Sequence, residues 1–199
     1  MATLPKNIPI TFPIEFIEIP KTNYRKGRTS VPDLIVIHVT VGSRASTISE
    51  FKNPTGKSTH LLVDKQGNIV QFVSTNDTAY GNGIMDNPIN SIVLSRGARN
   101  PNNYSISIEH EGSGNSDLTT VQFNASVKII TFLCKKWAIP ADRTHIIMHR
   151  EITEDKACPG LINVESLIHY VRKALGVGKA NKGKPKKPGK KKPIEGEVE

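Results

Sequence analysis

Short apolar runs rich in β-branched residues alternate with helical segments along this chain, and this alternation limits the folds that it can adopt. Leu34–Thr40 and His145–His149 are typical of buried strands, and Tyr104–Glu111 alternates between apolar and polar residues as a strand does. Thr119–Trp137 carries apolar residues at helical spacing. Strands interleaved with helices predict an α/β fold, in which a central mixed β-sheet is flanked by helices in a single domain.

Capping residues mark the ends of the two longest predicted helices. Thr119 and Gln122 form a capping-box pair, and the core-facing stripe of the helix that follows begins at Val121. Asn163 is the expected N-cap of the last helix, and Gly176 stands just beyond its end, at the C′ position. Both helices therefore have boundaries that the sequence predicts.

The remaining segments predict shorter elements and one long loop. Ser46–Phe51 is predicted as a short helix with Ser46 as its N-cap. Ser58–Asp64 and Asn68–Val73 flank a Lys-Gln-Gly turn, as the two strands of a hairpin do. Residues 80–103 are rich in Gly, Asn and Pro and are expected to form a loop, and loops of such length are often functional.

Composition divides the chain into three segments. Residues 1–30 are predicted as an irregular or edge-strand lead-in, because their prolines cannot donate hydrogen bonds to a ladder. Residues 176–199 contain eight lysines, three glutamates and no aromatic residue, so they are predicted to be a disordered basic tail. Residues 31–175 remain as the globular domain. The formal net charge of +9 favours anionic partners.

The first twenty residues lack the features of a secretory signal peptide. Prolines at positions 5, 9, 13 and 20 interrupt any apolar core. No apolar stretch in the chain reaches the roughly 18 residues that a membrane span requires. We therefore expect a protein that is made in the cytoplasm without a membrane span and that could act outside the cell only after release by another agent.

Two histidines and a cysteine stand at or near the ends of predicted strands. His38 follows an apolar run, His149 closes another, and Cys158 comes nine residues later in a polar loop. Imidazole and thiolate are good zinc ligands, and three protein ligands leave the fourth tetrahedral position to water. His145 is an alternative, because a period of two places it on the same strand face as His149. Purely structural histidines are the other alternative to a zinc site.

Glu109 is the candidate general base. It lies on the opposite face of its predicted strand from Ile106, Ile108 and His110, which face the expected core. A carboxylate beside a zinc site can accept a proton from the attacking water. The alternative is a strand carboxylate that pairs with a basic residue or faces solvent.

Lys156 is the candidate for stabilising negative charge. It precedes Cys158 by two residues, so in an extended segment both side chains project to the same side. An ammonium group there could stabilise the oxyanion of a tetrahedral intermediate. The alternative is an ordinary solvated lysine, which is the usual state of this residue type.

Four segments match a known family in order: Ile35–Thr40, Thr59–Ile69, Ser105–Glu109, and His149–Ile152 followed by Lys156–Gly160. Together they resemble the zinc-dependent N-acetylmuramoyl-L-alanine amidases of the type-2 family, which includes phage lysozyme-type amidases and animal peptidoglycan recognition proteins. The resemblance extends over roughly Leu34 to Leu175. Four matching segments in the right order make chance agreement improbable.

The resemblance implies roles for individual residues: His38, His149 and Cys158 as zinc ligands, and Glu109 and Lys156 as catalytic residues. His60 also matches a family position, and we expect it to have a structural or substrate-side role. Two positions differ between this chain and parts of the family. Thr59 stands where some relatives have a catalytic tyrosine, which leaves Glu109 as the base. Cys158 stands where many members have aspartate, and it matches the phage and animal branch.

The resemblance also implies a function, the hydrolysis of the amide bond between N-acetylmuramic acid and L-alanine in bacterial peptidoglycan. A phage or prophage endolysin is the favoured setting, because the basic tail would be attracted to anionic wall polymers. A cytoplasmic wall-recycling amidase and a non-catalytic peptidoglycan-binding module are the alternatives. A nucleic-acid partner is not expected, because few aromatic residues lie among the basic ones.

Overall fold

The computed structural model describes residues 13–177 of the chain. Residues 1–12, which belong to the predicted lead-in, lie outside the described residues. The predicted basic tail also lies outside them from residue 178 onward.

A mixed β-sheet forms the centre of the described structure. Its strands, and those of a smaller sheet, are β1 (Ile14–Phe16), β2 (Tyr24–Arg25), β3 (Leu34–Val39), β4 (Leu61–Val63), β5 (Ile69–Gln71), β6 (Thr78–Ala79), β7 (Ser105–His110) and β8 (Ile146–Met148). The main sheet has the order β1-β5-β4-β7-β3-β8, and β2 pairs with β6. β3 is parallel to β7 and β8, whereas β4 and β5 form an antiparallel hairpin. The predicted mixed sheet is confirmed.

Helices flank this sheet: α1 (Arg44–Lys52), α2 (Ser91–Ser95), α3 (Thr120–Trp137) and α4 (Val164–Leu175). Thr119 and Gln122 form the predicted capping box at the start of α3. Asn163 caps α4, and Gly176 ends it with a φ of +73°. These boundaries agree with the sequence because each cap satisfies backbone groups that have no partner within the helix.

α3 and α4 cover one face of the sheet and bury the larger apolar cluster. The isoleucines of β3 and β7 that face this side pack with Ile129 and Leu133 of α3 and with Leu167 of α4. His110 also faces this side, as predicted, and its Nε2 lies 3.0 Å from the Ser126 hydroxyl of α3. Groups projecting to this side are therefore shielded from solvent.

The opposite face of the sheet carries the candidate chemistry. Leu34 and Val36 of β3 are buried on this side with Val93 of α2. Because side chains alternate along a strand, the next residue of β3 on this face is His38. β3 thus carries an imidazole to the end of the strand, on the face that α3 and α4 do not cover.

Two predictions about helices are wrong. α1 begins at Arg44 because Ser43, rather than Ser46, is the N-cap, and the Ser43 side chain accepts a hydrogen bond from the Ser46 backbone. Val121 is 55% exposed instead of facing the core. The first turn of α3 lies over the hairpin turn, where Thr119 bonds the Lys65 carbonyl, and therefore extends beyond the sheet.

The segment 80–103 is more ordered than a long loop. It contains α2, whose N-cap Asn90 accepts hydrogen bonds from two backbone N–H groups, and a 3-10 helix over Pro101–Asn103. Part of the predicted lead-in is also regular, because β1 pairs in parallel with β5 at the edge of the main sheet. Within residues 13–177, no helix combines the length and apolar character needed to cross a membrane.

Candidate metal centre

The first candidate ligand, His38, is positioned by the central strands. In the parallel pairing of β3 and β7, His38 is the register partner of Glu109. The His38 side chain is only 2% exposed, and its Nδ1 lies 3.9 Å from Glu109 Oε1. Burial lowers the pKa of His38 well below its usual value, and the nearby His149 lowers it further. The ring is therefore neutral at pH 7, which is the form that binds metals.

The second candidate ligand, His149, follows β8 directly and begins a 3-10 helix. Glu151 holds this turn, because its Oε2 accepts a hydrogen bond of 2.6 Å from the Met148 backbone and one of 2.6 Å from Arg143. Burial lowers the pKa of His149, the hydrogen bond to the Asn82 carbonyl opposes this shift, and Lys156 adds to it. Because β8 is the neighbour of β3 in the sheet, His149 lies beside His38.

The third candidate ligand, Cys158, is held against the end of β3. Its Sγ accepts a hydrogen bond of 3.3 Å from the Val39 N–H, and its carbonyl accepts one of 3.0 Å from Arg150. Two residues later, Gly160 packs so closely on Gly114 that a Cβ there would lie 2.1 Å from the Gly114 carbonyl oxygen. The chain can approach the Gly114 loop this closely only because glycine stands at position 160.

These three side chains converge. His38 Nδ1 lies 3.8 Å from Cys158 Sγ, and the centroids of the two imidazole rings are 4.4 Å apart. One donor atom from each residue lies within 4.8 Å of the others. Burial raises the pKa of the Cys158 thiol to about 12, and Glu109 raises it as well, so the sulfur would ionise only beside a cation. Two neutral imidazoles and a buried sulfur form a donor set that fits zinc.

Glu109 stands beside this cluster with one free oxygen. The side chain is 15% exposed, and Oε2 is buried without a hydrogen-bond partner among the described residues. Burial raises the pKa of Glu109 to about 8, and the negative charge of Glu50 contributes. With this pKa the carboxyl group is largely protonated at pH 7. A cation held by the neighbouring side chains would favour the ionised carboxylate, which is the form that can accept a proton from a molecule in the adjacent cavity.

A cavity of about 620 Å³ opens beside the cluster, and Glu109, His149 and Lys156 line it. Its walls also include Glu50 and Lys57 from the α1 side, which form an ion pair of 3.2 Å. Lys156 is exposed at this wall. The structure thus brings five of the predicted site residues together around one opening: His38, Glu109, His149, Lys156 and Cys158.

His60 is not part of this group. It is 1% exposed, it does not line the cavity, and its ring contacts Ser107 and Arg28. Burial and the Arg28 guanidinium lower its pKa to about 3. His145 is also apart from the cluster, because its Nδ1 lies 2.7 Å from Asp142 Oδ1. The structure thus separates His145, the rival ligand, from His149.

Sequence reasoning missed Asn82, which contacts both histidines. Its Oδ1 lies 3.2 Å from His38 Nε2, and its backbone carbonyl lies 3.0 Å from His149 Nε2. The local sequence contains a signal, because Asn82 stands between Gly81 and Gly83. A Cβ at Gly81 would lie 2.8 Å from the Ser107 hydroxyl, so a glycine there lets the loop approach the sheet closely.

Two imidazoles, a thiol and a carboxylate that meet beside an open cavity have the residue types that a hydrolase of the metal-assisted kind requires. The sequence profile of the N-acetylmuramoyl-L-alanine amidases matches residues 27–161 of the chain. This chain belongs to the N-acetylmuramoyl-L-alanine amidase family. The resemblance found in the sequence is confirmed, and so is the α/β fold with its central mixed sheet.

Several solved structures share this fold. N-acetylmuramoyl-L-alanine amidase LysC from Clostridium intestinale URNW is 18% identical, with a TM-score of 0.55 over 84% of this chain and 99% of that one. A mutant endolysin from Bacillus subtilis is 22% identical (TM-score 0.61, covering 81% and 99%), and an AmpD derivative is 20% identical (0.61, covering 85% and 99%). A comparison with curated protein sequences gives no significant match.

Proposed function

We propose that this chain hydrolyses the amide bond between the lactyl carbonyl of N-acetylmuramic acid and the L-alanine of the peptidoglycan stem peptide, with zinc as its cofactor. One observation carries the proposal: donor atoms of His38, His149 and Cys158 lie within 4.8 Å of one another beside Glu109. Membership of the amidase family supports the choice of bond.

In this proposal His38, His149 and Cys158 hold the zinc ion. When bound, zinc would polarise the scissile carbonyl and lower the pKa of a water molecule toward ~7. Three protein ligands would leave room for water on the ion, and His149 lines the cavity through which a substrate would approach. Glu151 holds the turn that begins at His149, and the Val39 N–H holds Cys158 by a hydrogen bond to its sulfur.

Glu109 acts as the general base. It accepts the proton of the attacking water and returns it to the nitrogen of the departing L-alanine. Its unpaired Oε2 and its position on the cavity wall support this role. Lys156 lines the same wall, and its ammonium group stabilises the oxyanion that forms at the scissile carbonyl.

The decisive experiment joins metal analysis to product analysis. The purified protein is assayed for bound metal, and digests of purified cell walls are examined by mass spectrometry for free amino termini and for reducing sugar. We expect about one zinc ion per chain, and stem peptides with free L-alanine amino termini. Release of reducing sugar instead would assign a glycosidase, and wall binding without any release would indicate a non-catalytic module.

We further propose that the enzyme acts on intact walls as an endolysin. One of the similar solved structures is described as an endolysin, and the Lys-rich segment 178–199 has the charge to bind anionic wall polymers. Deleting residues 178–199 should reduce lysis of intact walls more than cleavage of small soluble muropeptides. Equal losses on both substrates would contradict this role and favour an enzyme that acts on wall fragments.

A further inference from the structure

We propose that Asn82 is a positioning residue that turns both histidines of the metal centre so that each presents its Nδ1 atom to the same ion. This inference rests on the proposed zinc function and extends it to a residue outside the ligand set. Nδ1 would be the coordinating nitrogen of both rings, and Asn82 would determine this choice.

The two contacts of Asn82 engage the same nitrogen of each ring. His38 Nε2 donates to the Asn82 side-chain oxygen at 3.2 Å, and His149 Nε2 donates to the Asn82 backbone carbonyl at 3.0 Å. A neutral imidazole carries a single proton, so a ring that donates from Nε2 has its lone pair on Nδ1. One residue therefore selects the same tautomer in both rings.

The remaining nitrogen of His38 points toward the other candidate groups. His38 Nδ1 lies 3.8 Å from Cys158 Sγ and 3.9 Å from Glu109 Oε1. The rings of His38 and His149 are tilted by 50° to one another, with 4.4 Å between their centroids. Since Asn82 contacts Nε2 of both rings, the Nδ1 atoms are the ones left to meet near the sulfur.

Asn82 is itself held rigidly enough to impose this arrangement. Its side-chain NH₂ donates to the Ser105 hydroxyl at 2.8 Å, and its backbone N–H donates to Asn102 Oδ1 at 3.0 Å. Asn82 is 1% exposed, so water does not compete for these bonds. The oxygen of the side-chain amide therefore contacts His38, and its nitrogen contacts Ser105 on β7.

The test compares the zinc affinity of the full chain with that of Asn82→Ala and Asn82→Asp, measured by competition with a chromogenic chelator. Groups that orient metal-binding histidines commonly contribute about 10–100-fold to metal affinity, so Asn82→Ala should weaken zinc binding by a factor in that range. Asn82→Asp keeps an oxygen acceptor for His38 and should restore binding to within a few-fold. Asn124→Ala, on the exposed side of α3, is the matched control and should bind zinc as the unmodified chain does.

A second readout reports on the rings directly. Nitrogen-15 NMR of the imidazoles should show proton-bearing Nε2 and metal-bound Nδ1 for His38 and His149 in the zinc-loaded protein. In Asn82→Ala, His38 should lose this preference. A residue that merely stabilises the loop would lower the melting temperature and leave both the ring nitrogens and the zinc affinity unchanged, which would overturn the proposal.

The outcomes separate this inference from the proposed function. If the unmodified chain binds zinc and Asn82→Ala binds it equally well, or if either ring binds through Nε2, the positioning role is wrong and the zinc function stands. If the unmodified chain binds no zinc, both are wrong. Should Asn82→Ala fail to fold, Ser105→Ala decides, because removing the anchor of the Asn82 amide should still weaken zinc binding several-fold.

Discussion

His38 and Glu109 are register partners in adjacent parallel strands, and 3.9 Å separates His38 Nδ1 from Glu109 Oε1. The pairing of β3 with β7 thus places a candidate ligand and a candidate base side by side, without the help of a loop. Because both residues lie on regular strands, their spacing is set by the backbone ladder. Substitutions can therefore separate metal binding from proton transfer.

Glu109→Gln should keep zinc and lose turnover. The amide has nearly the same shape as the carboxylate but cannot accept a proton, and general acid–base catalysis typically contributes ~10²–10⁴-fold to the rate. We expect kcat on wall fragments to fall within that range, with zinc content unchanged. Glu154→Gln, an exposed carboxylate in the loop before Cys158, is the control and should retain full activity. Normal turnover by Glu109→Gln would assign the base to another group.

Cys158→Ala should lose both zinc and activity, because it removes one of three ligands. The other cysteine provides a matched control. Cys134 is buried in the apolar cluster under α3 and α4, so Cys134→Ala should lower the melting temperature while zinc stays bound. The measurements are metal content after dialysis and the thermal midpoint. Retention of one zinc ion per chain by Cys158→Ala would remove this sulfur from the ligand set.

Lys156→Ala should lower kcat and leave zinc affinity nearly unchanged. Losing one group that stabilises an oxyanion typically costs about 10²–10³-fold in kcat, and exposure of Lys156 to solvent places the expected loss at the lower end. Lys156→Arg should recover part of the activity because it restores the charge. A change confined to KM would indicate that Lys156 binds substrate and does not act on the transition state.

The free energy of unfolding should decrease in acid because His60 is buried in its neutral form. Its pKa is about 3 in the folded protein, so between the usual value of 6.5 and 3 the unfolded chain binds a proton that the folded chain does not. The stabilisation from a neutral His60 is complete above pH 6.5 and is lost as the pH falls, at up to about 1.4 kcal/mol per pH unit.

Urea unfolding at intervals between pH 7 and pH 4 measures this slope. His60→Gln should be less stable at pH 7, because the contacts with Ser107 and Arg28 are altered, but its stability should fall less steeply with acid. The comparison uses slopes because His38 and His110 are also buried with lowered pKa values in both proteins. Parallel pH profiles would show that His60 does not contribute.

Gly160→Ala should disturb the Cys158 loop more than a strained φ angle alone can explain. Gly160 has a φ of +67°, and a Cβ there would overlap the Gly114 backbone. Gly176→Ala is the matched control, because Gly176 has a φ of +73° and open space around its Cβ position. The left-handed conformation costs roughly 1–2 kcal/mol at either site, so only Gly160→Ala should also weaken zinc binding. Equal effects of the two substitutions on zinc affinity would contradict this role of the close contact.

Much of the fold could be predicted because its elements depend on local patterns. The strands that carry His38, Glu109 and His149 are continuous apolar or alternating runs, and the caps of α3 and α4 lie within a few residues of the bonds that they make. Val121 was mispredicted because its burial depends on where the helix sits over the sheet. The N-cap of α1 is Ser43, three residues before the predicted Ser46, and residue type alone does not distinguish one serine from the other.

The candidate site was predictable only in part, for a similar reason. The histidines and the cysteine belong to residue types with recognised metal chemistry, and their placement at strand ends suggested convergence. Asn82 belongs to a type that usually occurs in turns, and its role depends on contacts with His38 and with Ser105, which lie 44 and 23 residues away in the chain. Separations of this kind leave no periodic trace in a sequence.

The pairing of β1 with β5 has a consequence for handling the protein. Ile14 to Phe16 cover the outer backbone of β5, whose hydrogen-bonding groups would otherwise form an open border of the sheet. Open borders of this kind recruit strands from other molecules and lead to aggregation. Shortened versions of the enzyme that begin after Phe16 are therefore expected to precipitate at concentrations where the full chain stays dispersed.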